Sequence, residues 1–188
     1  FGPFRASAGA RIESVKRRPD ADSGLVQRDF NLGSYSLGGL WTFTQGYGLG
    51  LTASVAQRAP AIEELYSNGP HESTATYDIG DANLRKETSR NIELSLQKTE
   101  GLMRWKANVY QNHVKNYVYG RTDGTKVDDH GDADPDGEFL QRFWSQNDAT
   151  IRGIEAELSY NLRGNGFSWR GFAAVSYTHL TLPTTPYV

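Results

Sequence analysis

Apolar and polar side chains alternate with period 2 through segment after segment of this chain, and almost nowhere recur at the i, i+3, i+4 spacing of a helix. Over residues 35–43, Tyr35, Leu37, Gly39, Trp41 and Phe43 alternate with Ser36, Gly38 and Thr42, in phase with Ser34 just before. Successive side chains of an extended strand leave opposite faces, so one face here is oily and the other small and polar. Leu49, Leu51, Ala53 and Val55 repeat the pattern after a turn at residues 45–48, which predicts a tight hairpin. Further on, Ile92, Leu94 and Leu96 alternate with Asn91, Glu93, Ser95 and Gln97, and Ile154, Ala156, Leu158, Tyr160 and Leu162 alternate with Glu155, Glu157, Ser159 and Asn161. Residues 103–119 carry Trp105, Ala107 and Val109 on the apolar parity, and residues 167–177 carry Trp169, Ala173 and Val175. With residues 4–17 this predicts about seven strands and an all-β chain.

Connection lengths narrow the architecture. Short turns near Gln45, Thr99 and Gly164 alternate with long polar stretches at 18–29, 58–85 and 121–148. A long structureless connection at every second turn is uncommon in a compact soluble domain. Barrels of the outer membrane have that asymmetry by rule, with short periplasmic turns and long extracellular loops. The expectation is an antiparallel up-and-down meander forming part of a transmembrane β-barrel. Trp41, Phe43, Tyr47, Trp105 and Phe167 gather at the short-turn end, where an interfacial aromatic girdle belongs; ordinary β-propensity is the plainer account of them. A strand in lipid must have every backbone group paired, so an open sheet of this size would leave edges unsatisfied, and the native object is expected to hold more strands than this chain. The start at Phe1, with neither an initiator Met nor a signal peptide, reads as a truncation.

Composition sharpens this by exclusion. No run approaches the roughly 20 consecutive apolar residues of a membrane helix, whereas a barrel strand hides from such a test because only one face is apolar. The 188 residues contain no cysteine, which removes thiolate metal sites, disulfides and cysteine nucleophiles. A net charge of −2 with both signs mixed gives no basic field for nucleic acid. No Ser, His and Asp set stands in an interpretable context, and no phosphate-binding glycine loop or paired histidine motif is present, so an enzyme is not expected.

Residues 57–66, Gln57-Arg58-Ala59-Pro60-Ala61-Ile62-Glu63-Glu64-Leu65-Tyr66, resemble the Arg-Ala-Pro...Glu-Leu segment of TonB-dependent receptors, where a barrel strand leaves the membrane into an extracellular loop. The order continues through Asn68-Gly69-Pro70-His71, Tyr77-Asp78-Ile79-Gly80, Asn83-Leu84 and Lys86-Glu87-Thr88-Ser89 into Asn91-Ile92-Glu93-Leu94. Residues 147–157, with Gly153 before Ile154 and Glu155, resemble the family's returning strand, and together the likeness covers about residues 4–177. Within the family, Gly-Pro-His followed by an Asp-rich loop is most similar to the zinc-uptake receptors of the ZnuD type. The resemblance implies an outer-membrane location, a roughly 22-stranded transmembrane β-barrel, a plug domain of the same chain, and energy drawn from the TonB complex. It makes the chain the barrel portion of an uptake receptor in outer-membrane lipid, with zinc as transported ligand and no cofactor required. Residues 178–188 depart from the pattern; Pro183 and Pro186 would interrupt a strand ladder, so this stretch is set apart as an atypical, truncated or artefactual tail.

The candidate chemistry lies in the long connections. His71 beside Glu72 offers imidazole and carboxylate, a reasonable donor pair for zinc, although an isolated loop histidine is more often simply solvated. The other loop holds Asp128, Asp129, His130, Asp132, Asp134 and Asp136, which would concentrate divalent cations near a mouth. Most charge runs are solvated surface loops, and that reading stands beside capture of a metal by both loops. Asp132-x-Asp134-x-Asp136-Gly137 matches the opening of a calcium loop, but Phe143 stands where the closing Glu belongs. Glu93, Glu155 and Glu157 are expected to face the lumen, where packing against a plug is a plainer role than lining a cation path. Siderophore or haem as cargo, and a soluble β-sandwich whose apolar stripes pack on one another, remain open alternatives.

Overall fold

The computed structural model describes residues 3–161 and 168–180. In chain order the elements are β1 (Phe4–Arg17), β2 (Arg28–Thr44), β3 (Tyr47–Arg58), a one-turn helix α1 (Ile62–Tyr66), β4 (Asn68–His71), β5 (Thr76–Ile79), β6 (Glu87–Lys98), β7 (Met103–Val127), β8 (Phe139–Asn161) and β9 (Ser168–Leu180). The seven long strands pair antiparallel with their neighbours in the order β1-β2-β3-β6-β7-β8-β9. The described residues form one unclosed sheet, with β1 and β9 at opposite margins.

Register turns the alternation into continuous bands. Ala6, Gly39, Leu51, Leu94, Val109, Ile154 and Val175 are successive cross-strand partners, so one row of apolar side chains crosses the whole sheet. Phe4, Trp41, Leu49, Leu96, Ala107, Ala156 and Ala173 form the next row toward the short turns. On the other face, Ser7, Gly38, Thr52, Glu93, Tyr110, Gly153 and Ser176 align in the same way. Leu37 (67% exposed), Leu94 (49%) and Ile154 (58%) leave the protein's own surface instead of entering a core. With a single sheet, the sandwich alternative loses the second layer its apolar stripes would need.

Trp41, Phe43, Tyr47 and Trp105 form a chain of tilted and edge-on rings with centroids 5.5 to 6.4 Å apart at the short-turn end, in the packing aromatic pairs prefer. There Gly46 takes φ 76°, which lets the chain reverse between β2 and β3, and its carbonyl accepts the Thr99 N–H of the adjacent turn at 2.7 Å. Phe167 and the turn near Gly164 lie outside the described residues.

The long connections are more ordered than a polar composition suggests. Residues 121–148, expected as a loop, are mostly strand: β7 runs to Val127 and β8 begins at Phe139, leaving only a short tip between them. Strand pairing wins because polar residues cost nothing on a ladder that rises into water, while its backbone hydrogen bonds continue. Likewise β2 starts at Arg28, well before the apolar alternation at Tyr35. Residues 58–85 fold into α1 and the β4–β5 hairpin, and β5 pairs in parallel with residues 140–143 of β8. Of the stretch set apart as a tail, Thr178, His179 and Leu180 pair with Ile151, Thr150 and Ala149; residues 181–188 lie outside the described part.

Candidate ligand-capture rim

The main buried cluster sits at the long-connection end. Phe30, Leu32, Ala59, Leu65, Leu84 and Val118 pack together, with Val15, Tyr66 and Trp144 against them. Phe30 and Leu32 continue the strand parity of the polar, inward face, so that face becomes apolar where residues 59–84 fold over it. Burial of these side chains fixes the connection to the wall, each fully buried one contributing about 1.5–3 kcal/mol.

An ionic node locks the same joint. Glu87 Oε2 accepts a 2.6 Å hydrogen bond from Arg58 Nε, and Oε1 accepts the buried Val118 N–H at 2.6 Å. Arg58 Nη1 also reaches Glu64 Oε2 at 3.0 Å, and the same Glu64 oxygen accepts the Ala61 N–H at 2.8 Å, capping α1. Glu87 beside Arg58 holds the guanidinium protonated even more firmly than usual. Arg28 Nη2 donates to the Leu84 carbonyl at 3.2 Å, and Arg17 Nε to that of Pro60 at 2.8 Å, tying β1 and β2 in as well. Arg58, Glu64 and Glu87 fall within the quoted motif segments, but the sequence did not mark them as interacting; the available signal was an isolated charge at each end of an apolar joint.

Above this joint stand the two hairpins that carry the candidate ligands. His71 ends β4, where its Nδ1 lies 2.8 Å from Thr74 Oγ1 and 3.3 Å from Ser73 Oγ, and Glu72 opens the 3-10 turn that follows; both are exposed. Residues 128–138 form the tip between β7 and β8. Asp128 Oδ1 accepts the N–H groups of His130 and Asp132, each at 2.9 Å, and Asp134 Oδ1 that of Asp136 at 2.9 Å. These bonds, the one from Asp132 foremost, hold the Asp128 carboxyl below the usual carboxylate range. Asp128 and Asp134 are thus turn formers, while Asp129, His130, Asp132 and Asp136 are exposed, with Asp129 Oδ1 3.6 Å from His130 Nε2. The tip joins two strands, without the flanking helices of a calcium hand.

The two hairpins touch. Tyr77 Oη donates to the His130 carbonyl at 3.2 Å, and β5 lies on β8, so His71, Glu72 and the acidic tip belong to one lip. Among the described residues no three His, Cys, Asp or Glu side chains come together as a ready metal cage. Lower in the wall, Glu93, Glu155 and Glu157 lie on the inward face, Glu157 3.4 Å from Arg170.

One antiparallel sheet with an oily outer face, a polar inner face and a built-up rim defines the wall of a membrane-spanning β-barrel with an outward mouth. The family model described as TonB dependent receptor-like, beta-barrel matches residues 1–187, and the chain belongs to that family. Its place is therefore the bacterial outer membrane, in a family of receptor-like barrels. Among solved structures the chain is similar to the copper transporter OprC (16% identity, TM-score 0.69, covering 96% of this chain and 26% of that one). It is also similar to the FrpB iron transporter from Neisseria meningitidis (15%, TM-score 0.64, 96% and 24%) and to the siderophore receptor PirA from Pseudomonas aeruginosa (17%, TM-score 0.60, 94% and 34%). The chain spans about a quarter to a third of the length of these proteins. At such identities the likeness is one of fold.

Proposed function

We propose that this chain is the barrel portion of a receptor that imports zinc, with the lip formed by the His71 hairpin and the acidic tip as its outer capture surface. The observation that supports the reading is the Tyr77–His130 contact, which sets the hairpin that bears His71 against the tip that bears His130 and its neighbouring carboxylates. Imidazole and carboxylate suit zinc. The chain has no cysteine, and its one methionine, Met103, begins β7 at the opposite, short-turn end, so this lip offers no soft sulfur donors. Gly69-Pro70-His71 and the Asp-rich tip are also the segments that resemble the zinc-uptake receptors. In the intact receptor a plug domain closes the lumen, Glu93, Glu155 and Glu157 face it, and the TonB complex supplies the energy that moves it. Zinc is the cargo, and the chain does no bond chemistry.

A siderophore or haem is the second reading, favoured by a basic and aromatic patch on the same rim: Arg142 lies 5.0 Å from the Trp144 ring and Arg121 5.4 Å from that of Phe143. Titration calorimetry of the intact receptor with zinc, a ferric siderophore and haem separates the two. The zinc reading expects binding that weakens at least about tenfold in the double variant His71→Ala, His130→Ala. Zinc binding untouched by that variant, or haem binding lost on Arg121→Ala, favours the second reading.

A further inference from the structure

A chain of hydrogen bonds runs from the exposed ring of His71 down to a buried carboxylate. His71 Nδ1 lies 2.8 Å from Thr74 Oγ1, Thr74 Oγ1 lies 2.7 Å from Thr76 Oγ1, and Thr76 Oγ1 donates to Asp78 Oδ1 at 2.8 Å. Ala75, between the two threonines, takes φ 50° and ψ 43°, a left-handed conformation that side chains with a Cβ rarely adopt. With the 3-10 turn before it, this kink folds the two hydroxyls onto each other.

The direction of every bond follows from the buried end. As a carboxylate paired through both oxygens with the Arg142 guanidinium, Asp78 can only accept, so the Thr76 proton is committed to it. Thr76 Oγ1 is left to accept in turn, and its donor is the Thr74 hydroxyl. The other acceptor within reach of Thr74, the His71 carbonyl, is farther away at 3.3 Å. Turning the proton there would leave two hydroxyl oxygens 2.7 Å apart with no proton between them. With its own proton spent, Thr74 Oγ1 accepts, and the ring nitrogen beside it must donate. Ser73 Oγ, 3.3 Å from the same nitrogen, is a second and weaker acceptor.

We infer that Thr74, Thr76 and Asp78 hold neutral His71 as the Nδ1–H tautomer, which keeps the ring's lone pair on Nε2, the atom left to bind a metal ion. In water the opposite tautomer predominates; here the partner of Nδ1 decides. A metal-binding histidine ordinarily donates its second N–H to a carboxylate, carbonyl or water, which fixes the ring and raises its basicity. In this hairpin two threonine hydroxyls carry that connection to the carboxylate that also pairs with Arg142 on β8. Thr74, Thr76 and Asp78 are thus positioning residues. Zinc as the metal rests on the function proposed above; the tautomer does not.

The test uses the intact receptor with isotopically labelled histidine, observed by nitrogen NMR without metal and at mildly alkaline pH, where an ordinary imidazole is neutral. The His71 signals are identified by their loss in His71→Gln. The wild-type ring is expected to carry its proton on Nδ1. Thr74→Val removes the acceptor and is expected to shift the ring to the Nε2–H form, whereas Thr74→Ser keeps Nδ1–H. Thr76→Val frees the Thr74 proton, and a mixture of the two forms is expected. Zinc is expected to move the Nε2 signal, and its Kd to rise about tenfold in Thr74→Val. A wild-type ring with its proton on Nε2 overturns the inference, as does a tautomer unchanged by both valine variants or zinc bound through Nδ1. The wild-type measurement needs no variant, so a substitution that disturbs the hairpin leaves it decisive. Nδ1–H in the wild type with no response to zinc supports the tautomer and overturns the zinc reading alone.

Discussion

Asp78 on β5 and Arg142 on β8 meet as a two-pronged ion pair, Arg142 Nε donating to Asp78 Oδ1 at 2.8 Å and Nη2 to Oδ2. Asp78 is 5% exposed and also accepts from Thr76 Oγ1 at 2.8 Å. Gly120 leaves the space: a Cβ there would stand 2.6 Å from Arg142 Cδ. The fork therefore pins the His71 hairpin to the wall that carries the acidic tip.

Removing one prong strands the other. Asp78→Ala is expected to cost about 2–3 kcal/mol of local stability, less than a fully buried pair because Arg142 is partly solvated. Hydrogen exchange in the intact receptor checks it: residues 76–79 lose protection while β6 and β7 below the rim keep theirs.

Glu87→Ala leaves the Val118 N–H buried without an acceptor and Arg58 with Glu64 alone. A loss of about 2 kcal/mol is expected, read as faster protease cleavage within residues 59–85. Glu87→Gln, which still accepts from Val118, is expected to lose less.

The two faces of β6 respond oppositely to charge. Leu94→Arg, outward near the middle of the apolar rows, is expected to destabilise the folded receptor in liposomes by about 2–4 kcal/mol, whereas Glu93→Arg, inward, changes stability little. Denaturant titration of both variants is the measurement, and equal sensitivity would remove the lipid assignment.

Acid acts on the tip through Asp128. Its folded pKa is depressed, so the ordering it contributes is complete above the unfolded carboxylate value of about 3.9 and disappears as pH falls through the lower, folded value. The amides of His130 and Asp132, which donate to Asp128 Oδ1, are expected to show a chemical-shift step in acid below the ordinary carboxylate value of about 3.9. In Asp128→Asn, whose amide oxygen still accepts, that step is absent.

The membrane strands were legible because lipid and lumen impose opposite demands on alternate residues, which is why Leu37, Leu94 and Ile154 could be assigned a face from spacing alone. The rim was legible only in part. Where strands rise out of the membrane both faces meet water, the alternation fades, and Phe139, Gln141 and Phe143 read as loop although they are strand. The parallel pairing of β5 with β8 has no local signature, since it depends on how the connection folds back over Phe30 and Leu32. His71 and the Asp run stood out by residue type, whereas Asp78 and Arg142, which hold their hairpins together, stood 64 positions apart and were ordinary until paired.

The parallel ladder between β5 and β8 also sets which changes a mouth of this kind tolerates over generations. An added residue in the 3-10 turn at Glu72–Thr74 lengthens a tip and leaves the ladder in step. One added between Thr76 and Asp78 turns the aspartate to the far side of the strand and away from its arginine. Changes of length are thereby confined to the two tips, while the short ladder beneath them admits none without losing its ion pair.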